Sequence, residues 1–269
     1  MKALAKGCLL PKPDWTAAVM GCSSRALALK HEDNAGISIV ASMDDMDARA
    51  FALGASFAEF SENVKKGSRL FFDGKNLTTE DGLLIETENA IVWDLRPELV
   101  KAGKIKNAKH VIIAMESAIK GLEGYALNEE GISSGAFGKA FKKLAQGAAF
   151  PANLVGFGPG STPAGDDWLA GYLTAMDAML GQPGGSAAML RGSIAAELCR
   201  TSFSGRSLLL GCLEGCPPAY LARLALAAIS GSSAEIAAAV KEALGHGASS
   251  GRDAMDGFVF ALAKGQIDY

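Results

Sequence analysis

Gly156-Phe-Gly-Pro-Gly-Ser-Thr-Pro-Ala-Gly-Asp-Asp-Trp-Leu-Ala-Gly171 is the stretch on which the reading of this chain turns. Four glycines, two prolines and two hydroxyl residues crowd the positions before Asp166. Trp168, Leu169, Tyr172, Leu173, Met176 and Leu180 then recur at the spacing of one helical face, which predicts a helix over 166–180. A loop of this composition brings main chain close to a ligand, and the first N–H groups of the helix it feeds are donors at the positive end of the helix dipole. An anion suits such a place. Asp166 and Asp167 complicate it, because carboxylates in the first turn repel a bare phosphate. They could hold a divalent cation such as Mg²⁺, or accept hydrogen bonds from a substrate amide; the plain alternative is one helix cap and one solvated acid.

A second segment, His246-Gly-Ala-Ser-Ser-Gly-Arg-Asp-Ala-Met-Asp-Gly257, repeats the design. Setting Gly165 on Gly251 places Asp167 on Asp253 and Gly171 on Gly257. If both helix starts face one cleft, Thr162, Asp166, Asp167, Ser249, Ser250 and Asp253 converge there; two ordinary caps with glycines for close packing are the alternative. Arg200-Thr-Ser-Phe-Ser-Gly-Arg206 is a third polar cluster, read as a link between helices, whose guanidinium groups suit carboxylate or phosphate. His246 is either a general base or a helix C-terminal cap. No serine sits in a G-x-S-x-G elbow, and the glycine loop lacks the lysine of a phosphate-binding P-loop.

Outward from these loops, the second half reads as helical. Val111, Ile112, Met115, Ile119 and Leu122 share a helical face, as do Phe137, Phe141 and Leu144. Further helices are expected at about 187–202, 217–229, 233–244 and 252–263. The first half is instead β-favouring: Gly36–Ser42, Ser68–Asp73 and Gly82–Trp93 are short runs bounded by turn residues, while 47–60 fits either a strand pair or a short helix. The expectation is an α+β protein, with a β-rich sheet or barrel over 1–108 and an Ala/Gly-rich helical domain over 109–269.

Composition narrows the function. The chain has 269 residues, 49% hydrophobic and 20% charged, with net charge −3 and no like-charge run beyond a pair, which argues against nucleic-acid binding and a basic membrane anchor. Its most apolar stretch in the helical half, Ala219–Ile229, is broken by Arg223 and is too short to span a bilayer. The early apolar residues are closed off by Lys12 and Asp14, so a cytoplasmic protein is expected. Cys8, Cys22, Cys199, Cys212 and Cys216 are odd in number and form no C-x-x-C, which disfavours a disulfide framework or structural zinc.

The segments Gly158–Gly171, Thr201-Ser202 with Ser204, and Gly245–Asp253 resemble a bacterial family long labelled a domain of unknown function, which includes the AllH-type subunit of oxamate carbamoyltransferase from anaerobic allantoin degradation. The resemblance implies a subunit of an oligomeric enzyme that converts oxalurate and phosphate to oxamate and carbamoyl phosphate. The glycine and Asp loops would line its site, with Asp167, Asp253 and Asp166 the expected catalytic residues. Gly158, Gly160, Ser161, Thr162, Gly165, Ser202, Ser204, Arg206, His246, Ser249, Ser250 and Gly251 would bind a small anionic substrate, with Arg252 a further source of positive charge. A non-catalytic binding or assembly subunit, and a Mg²⁺-dependent phosphoryl-transfer enzyme using Asp166 and Asp167, are the competing readings.

Overall fold

The computed structural model describes residues 1–122, 137–147, 150–185 and 187–264. Its contacts divide the chain after Asp94 into two units. The first is a nine-stranded sheet: β1 (Ala5–Gly7), β2 (Trp15–Cys22), β3 (Ala26–His31), β4 (Gly36–Val40), β5 (Ala50–Ala52), β6 (Arg69–Phe72), β7 (Asn76–Thr79), β8 (Leu84–Glu86) and β9 (Ile91–Trp93). Helix α1 (Ser56–Asn63) follows β5. The strand order is β8-β7-β6-β2-β3-β4-β5-β1-β9, antiparallel except for β4/β5 and β1/β9.

The sheet is a curled half-barrel, and its N-terminal residues show how it bends round. Ala3 donates its N–H to the Glu86 carbonyl, and Glu86 donates to Met1, both at 2.9 Å, so residues just ahead of β1 cover the far edge strand β8. Covering that edge removes a template for unwanted pairing. Alternation supplies the core: Trp15, Ala17 and Val19 of β2 and Leu27, Leu29 and His31 of β3 are buried, and pack with Phe51, Phe57, Phe60 and Phe72. The run expected as one strand over 82–93 is two, β8 and β9, at opposite ends of the order, because Thr87–Ala90 makes a turn closed by Ala90 N–H on the Thr87 carbonyl. The open segment 47–60 resolves into β5 and α1.

The second unit is helical: α2 (Arg96–Ala102), α3 (Ala108–Lys120), α4 (Gly138–Ala145), α5 (Ala164–Leu180), α6 (Ala188–Ala196), α7 (Phe203–Leu213), α8 (Ala219–Ser230), α9 (Ser233–Leu244) and α10 (Ser250–Lys264). Helix α5 is buried on nearly every side, as a helix without a polar face must be. Trp168 stacks on Tyr172 with centroids 5.4 Å apart and meets Phe141, Phe150 and Phe260 at 5.1–6.2 Å. The helix expected over 187–202 is shorter: α6 ends at Ala196, and Leu198–Arg200 is a single 3₁₀ turn. The polar segment 200–206 is less a link than a helix start, since the Ser202 hydroxyl accepts the Gly205 N–H and begins α7. Among the described residues no helix is long and apolar enough to cross a membrane.

Candidate functional site

Helices α5 and α10 cross through their glycines. A Cβ on Gly171 would lie 1.7 Å from the Ala254 carbonyl oxygen, and one on Gly257 would lie 1.9 Å from that of Trp168. Ala254 and Trp168 are the matched positions of the two loops, so each glycine touches the partner helix at the residue corresponding to its own helix's contact. The sequence echo is therefore a local two-fold in space. Asp167 and Asp253 each stand one residue before those contacts, and both are buried, at 2% and 1% exposure.

The loops above them are open. Gly158, Pro159, Gly160 and Ser161 are exposed ahead of α5, as are Gly247, Ala248 and Ser249 ahead of α10. Gly158 and Gly160 have φ of +94° and +116°, a backbone region that favours glycine. The two loops meet where the Thr162 and Ser250 hydroxyl oxygens lie 3.3 Å apart. Both hydroxyls also hydrogen-bond Asp167, while Ser249 hydrogen-bonds Asp253. The Oδ2 atoms of Asp167 and Asp253 are buried without a partner in the structure. Buried polar atoms are rarely left so, and two at one crossing mark a place where a ligand donor or a retained proton belongs.

Asp166 differs from its neighbour. Its Oδ1 accepts the Gly156 N–H at 2.8 Å, and its Oδ2 accepts the Thr201 hydroxyl. The carboxyl packs against Gly205, where a Cβ would come within 2.1 Å of Oδ2. Ser202 completes the clamp by donating to the Ser161 carbonyl. Asp166 thus ties the start of α7 to the glycine loop. A cation held by Asp166 and Asp167 would need further ligands, and among the described residues no third His, Cys, Asp or Glu closes on this pair.

The other expected residues divide. Gly165 and Gly251 give the backbone its close packing: their Cβ positions lie 2.1 Å from the Leu154 carbonyl oxygen and 1.6 Å from that of Ala243. Gly165 spends its N–H on Phe157 at 2.8 Å and Gly251 spends its own on His246 at 3.0 Å, so neither amide faces a ligand. Arg206 donates through Nε and Nη2 to the Leu198 carbonyl at 3.1 and 3.0 Å, buttressing the 3₁₀ turn. Ser204 sits in the first turn of α7 outside these bonds. His246 stacks on Tyr220, centroids 4.1 Å apart. Tyr220, in α8, was hidden in the sequence by its apolar helix, yet its buried hydroxyl lies within electrostatic reach of Asp167 and Asp253. Thr201, next to the expected Ser202, is the other addition.

Burial dominates the electrostatics. It pushes Asp166 and Asp253 up to about 6, against hydrogen bonds and, for Asp253, the Arg252 charge. Asp167 goes well above the ordinary carboxylate range through burial, with the charges of Asp253 and Asp166 adding to it. Burial likewise raises Tyr220 and Cys212.

These shifts make a stability prediction. A carboxyl raised on folding binds its proton more tightly in the native state, so its contribution to stability falls as pH climbs from about 4 to about 6 and stays low above that. Asp253→Asn removes the buried charge. It is expected to raise the thermal midpoint at pH 8, by the equivalent of about 2–3 kcal/mol at most, and to lose that advantage by pH 4. Differential scanning calorimetry across this range checks it; an equal shift at both pH values would contradict the burial argument.

Residues 154–262 match the family model AllH, described as oxamate carbamoyltransferase subunit AllH. No curated protein and no solved structure matches the chain.

Proposed function

We propose, from the match of residues 154–262 to the family of oxamate carbamoyltransferase subunits AllH, that the crossing of α5 and α10 carries carbamoyl transfer between oxalurate and phosphate, in the cytoplasm, as a step of allantoin breakdown. The observation that supports this most is the meeting of Asp167 and Asp253, remote in sequence, beneath two exposed glycine and hydroxyl loops, each with an oxygen left unpaired.

The chemistry asks for opposite things of one site. Oxalurate and phosphate bring anionic oxygens, which main-chain N–H groups and hydroxyls of the loops at 158–162 and 247–250 suit. The carbamoyl group brings an NH₂, which needs acceptors, and Asp167 and Asp253 supply them. Attack of a phosphate oxygen on the carbamoyl carbon passes through a tetrahedral intermediate whose oxyanion fixed donors stabilise, so this scheme needs no covalent nucleophile. Asp166, Thr201 and Ser202 keep the glycine loop in register. The family's description as a subunit implies partner chains, which complete the enzyme.

The isolated chain is expected to gain thermal stability with oxamate and with phosphate, because a ligand that binds only the folded state raises its apparent stability. The midpoint should rise with ligand concentration, and Asp253→Asn should weaken the response to carbamoyl phosphate while keeping the phosphate response. No shift with either, while the chain co-purifies stoichiometrically with its partners, would favour an assembly role instead. A shift with Mg²⁺ that Asp167→Asn removes would favour the phosphoryl-transfer reading.

A further inference from the structure

The local two-fold makes Asp167 and Asp253 equivalent in position, and their surroundings make them unequal. We propose, resting on the carbamoyl-transfer reading above, that Asp167 is the proton donor to the nitrogen that departs from the carbamoyl carbon, and that Asp253, ionised, holds the carbamoyl NH₂.

The asymmetry is geometric. Asp167 is locked by the Thr162 and Ser250 hydroxyls, which meet above it at 3.3 Å. Asp166 on its own helix and Asp253 on α10 act on it with like charge, and Cys212 of α7 and Tyr220 of α8 are the other titratable groups within its electrostatic reach. His246 stacks on Tyr220. Asp253 instead has the Ser249 hydroxyl and the positive charge of Arg252, and lies beneath the exposed 247–249 loop. Of two carboxyls in one site, the one set among other carboxyls keeps its proton and the one beside a cation gives it up. Burial raising Asp167 well above the ordinary carboxylate range agrees with this. Each side chain keeps an unpaired Oδ2 for the task.

The reaction requires such a division. When a phosphate oxygen bonds to the carbamoyl carbon and the carbon–nitrogen bond breaks, the electron pair of that bond goes to nitrogen. Oxamate would leave as an unstable amide anion. A proton passed from the Asp167 carboxyl makes it the neutral amide, and the proton that hydrogen phosphate loses on becoming carbamoyl phosphate restores Asp167. In the reverse direction the Asp167 carboxylate takes the proton from the oxamate NH₂ as it attacks.

The test uses the chain assembled with its partner subunits, with oxalurate and phosphate as probes. General acid catalysis contributes about 10²–10⁴-fold, so Asp167→Asn is expected to lower kcat by that range with KM for oxalurate changed by less than about threefold. Asp253→Asn is expected to raise KM at least about tenfold. The wild-type rate of phosphorolysis should fall at alkaline pH, and Asp167→Glu should retain part of the activity and displace that limb. The same pH limb, read on wild type, does not depend on any variant folding. A normal kcat in a folded Asp167→Asn enzyme, or an alkaline limb that Asp167→Glu leaves in place, would overturn the assignment. A wild-type complex that binds oxalurate without turning it over would overturn the carbamoyl reading itself, and this inference with it.

Discussion

Gly171→Ala is expected to destabilise the helical unit by about 3 kcal/mol or more, at the top of the range for overpacking a core. The new methyl would sit 1.7 Å from the Ala254 carbonyl oxygen, and that neighbour is backbone of a buried helix, with no side chain to swing aside. Helices α5 and α10 would have to separate, loosening the Trp168–Phe260 contact at 5.1 Å. For a domain of this size each kcal/mol moves the midpoint by about 2–4 °C, so a fall of roughly 6–12 °C is expected by circular dichroism. Gly257→Ala should behave alike, its methyl falling 1.9 Å from the Trp168 carbonyl oxygen. Gly192→Ala is the control: it lies within α6 with nothing within 4 Å of the added carbon, and gains helix propensity of up to about 1 kcal/mol. A midpoint for Gly171→Ala within 2 °C of wild type would show that the crossing is looser than described.

Arg191→Met is expected to cost about 3–5 kcal/mol, the usual consequence of leaving one member of a buried ion pair without its partner. Arg191 and Asp177 are 8% and 7% exposed and form a direct salt bridge. The guanidinium also donates to the Cys212 and Leu213 carbonyls at 2.8 and 2.7 Å, and Asp177 Oδ2 accepts the Gly184 N–H at 3.0 Å. One pair therefore fastens the ends of α5 and α7, the start of α6 and the turn after Gly181. In the variant the stranded Asp177 carboxyl is raised on folding, so the loss should be largest at pH 7–8 and shrink toward pH 4. Urea denaturation of Arg191→Met and of Arg191→Met with Asp177→Asn checks this. The double variant should recover part of the loss; equal stability of the two would show that Asp177 is not isolated by the change.

The helical half was legible because its signals are local. The apolar face from Val111 to Ile119 and the glycine segment running into Trp168 each lie within a few turns of chain, and α3 and α5 fall where the spacing puts them. Helix α7 was not among the expected helices: Leu208–Leu213 has no polar face to set a period, and its start depends on Ser202 capping Gly205. In the sheet, β2 and β3 are rich in alanine and their inward alternation emerges only with Trp15 and Leu27 in place. The pairing of Met1 and Ala3 with Glu86 is a non-local event that no window of sequence contains. At the site, the echo of Asp167 and Asp253 was visible because it rests on glycines at fixed offsets. The clamp role of Asp166 was not, since Gly156 lies in its own segment but Thr201 and Gly205 come from the distant cluster at 200–206, and Tyr220 was masked by the apolar helix that carries it.

A crystal structure of the chain with oxamate and phosphate tests the central claim most directly. The oxamate amide nitrogen should lie about 2.7–3.2 Å from carboxyl oxygens of Asp167 or Asp253, with phosphate oxygens on the loops at 158–162 and 247–250. Oxamate bound elsewhere, with both Oδ2 atoms still unpartnered, would contradict it.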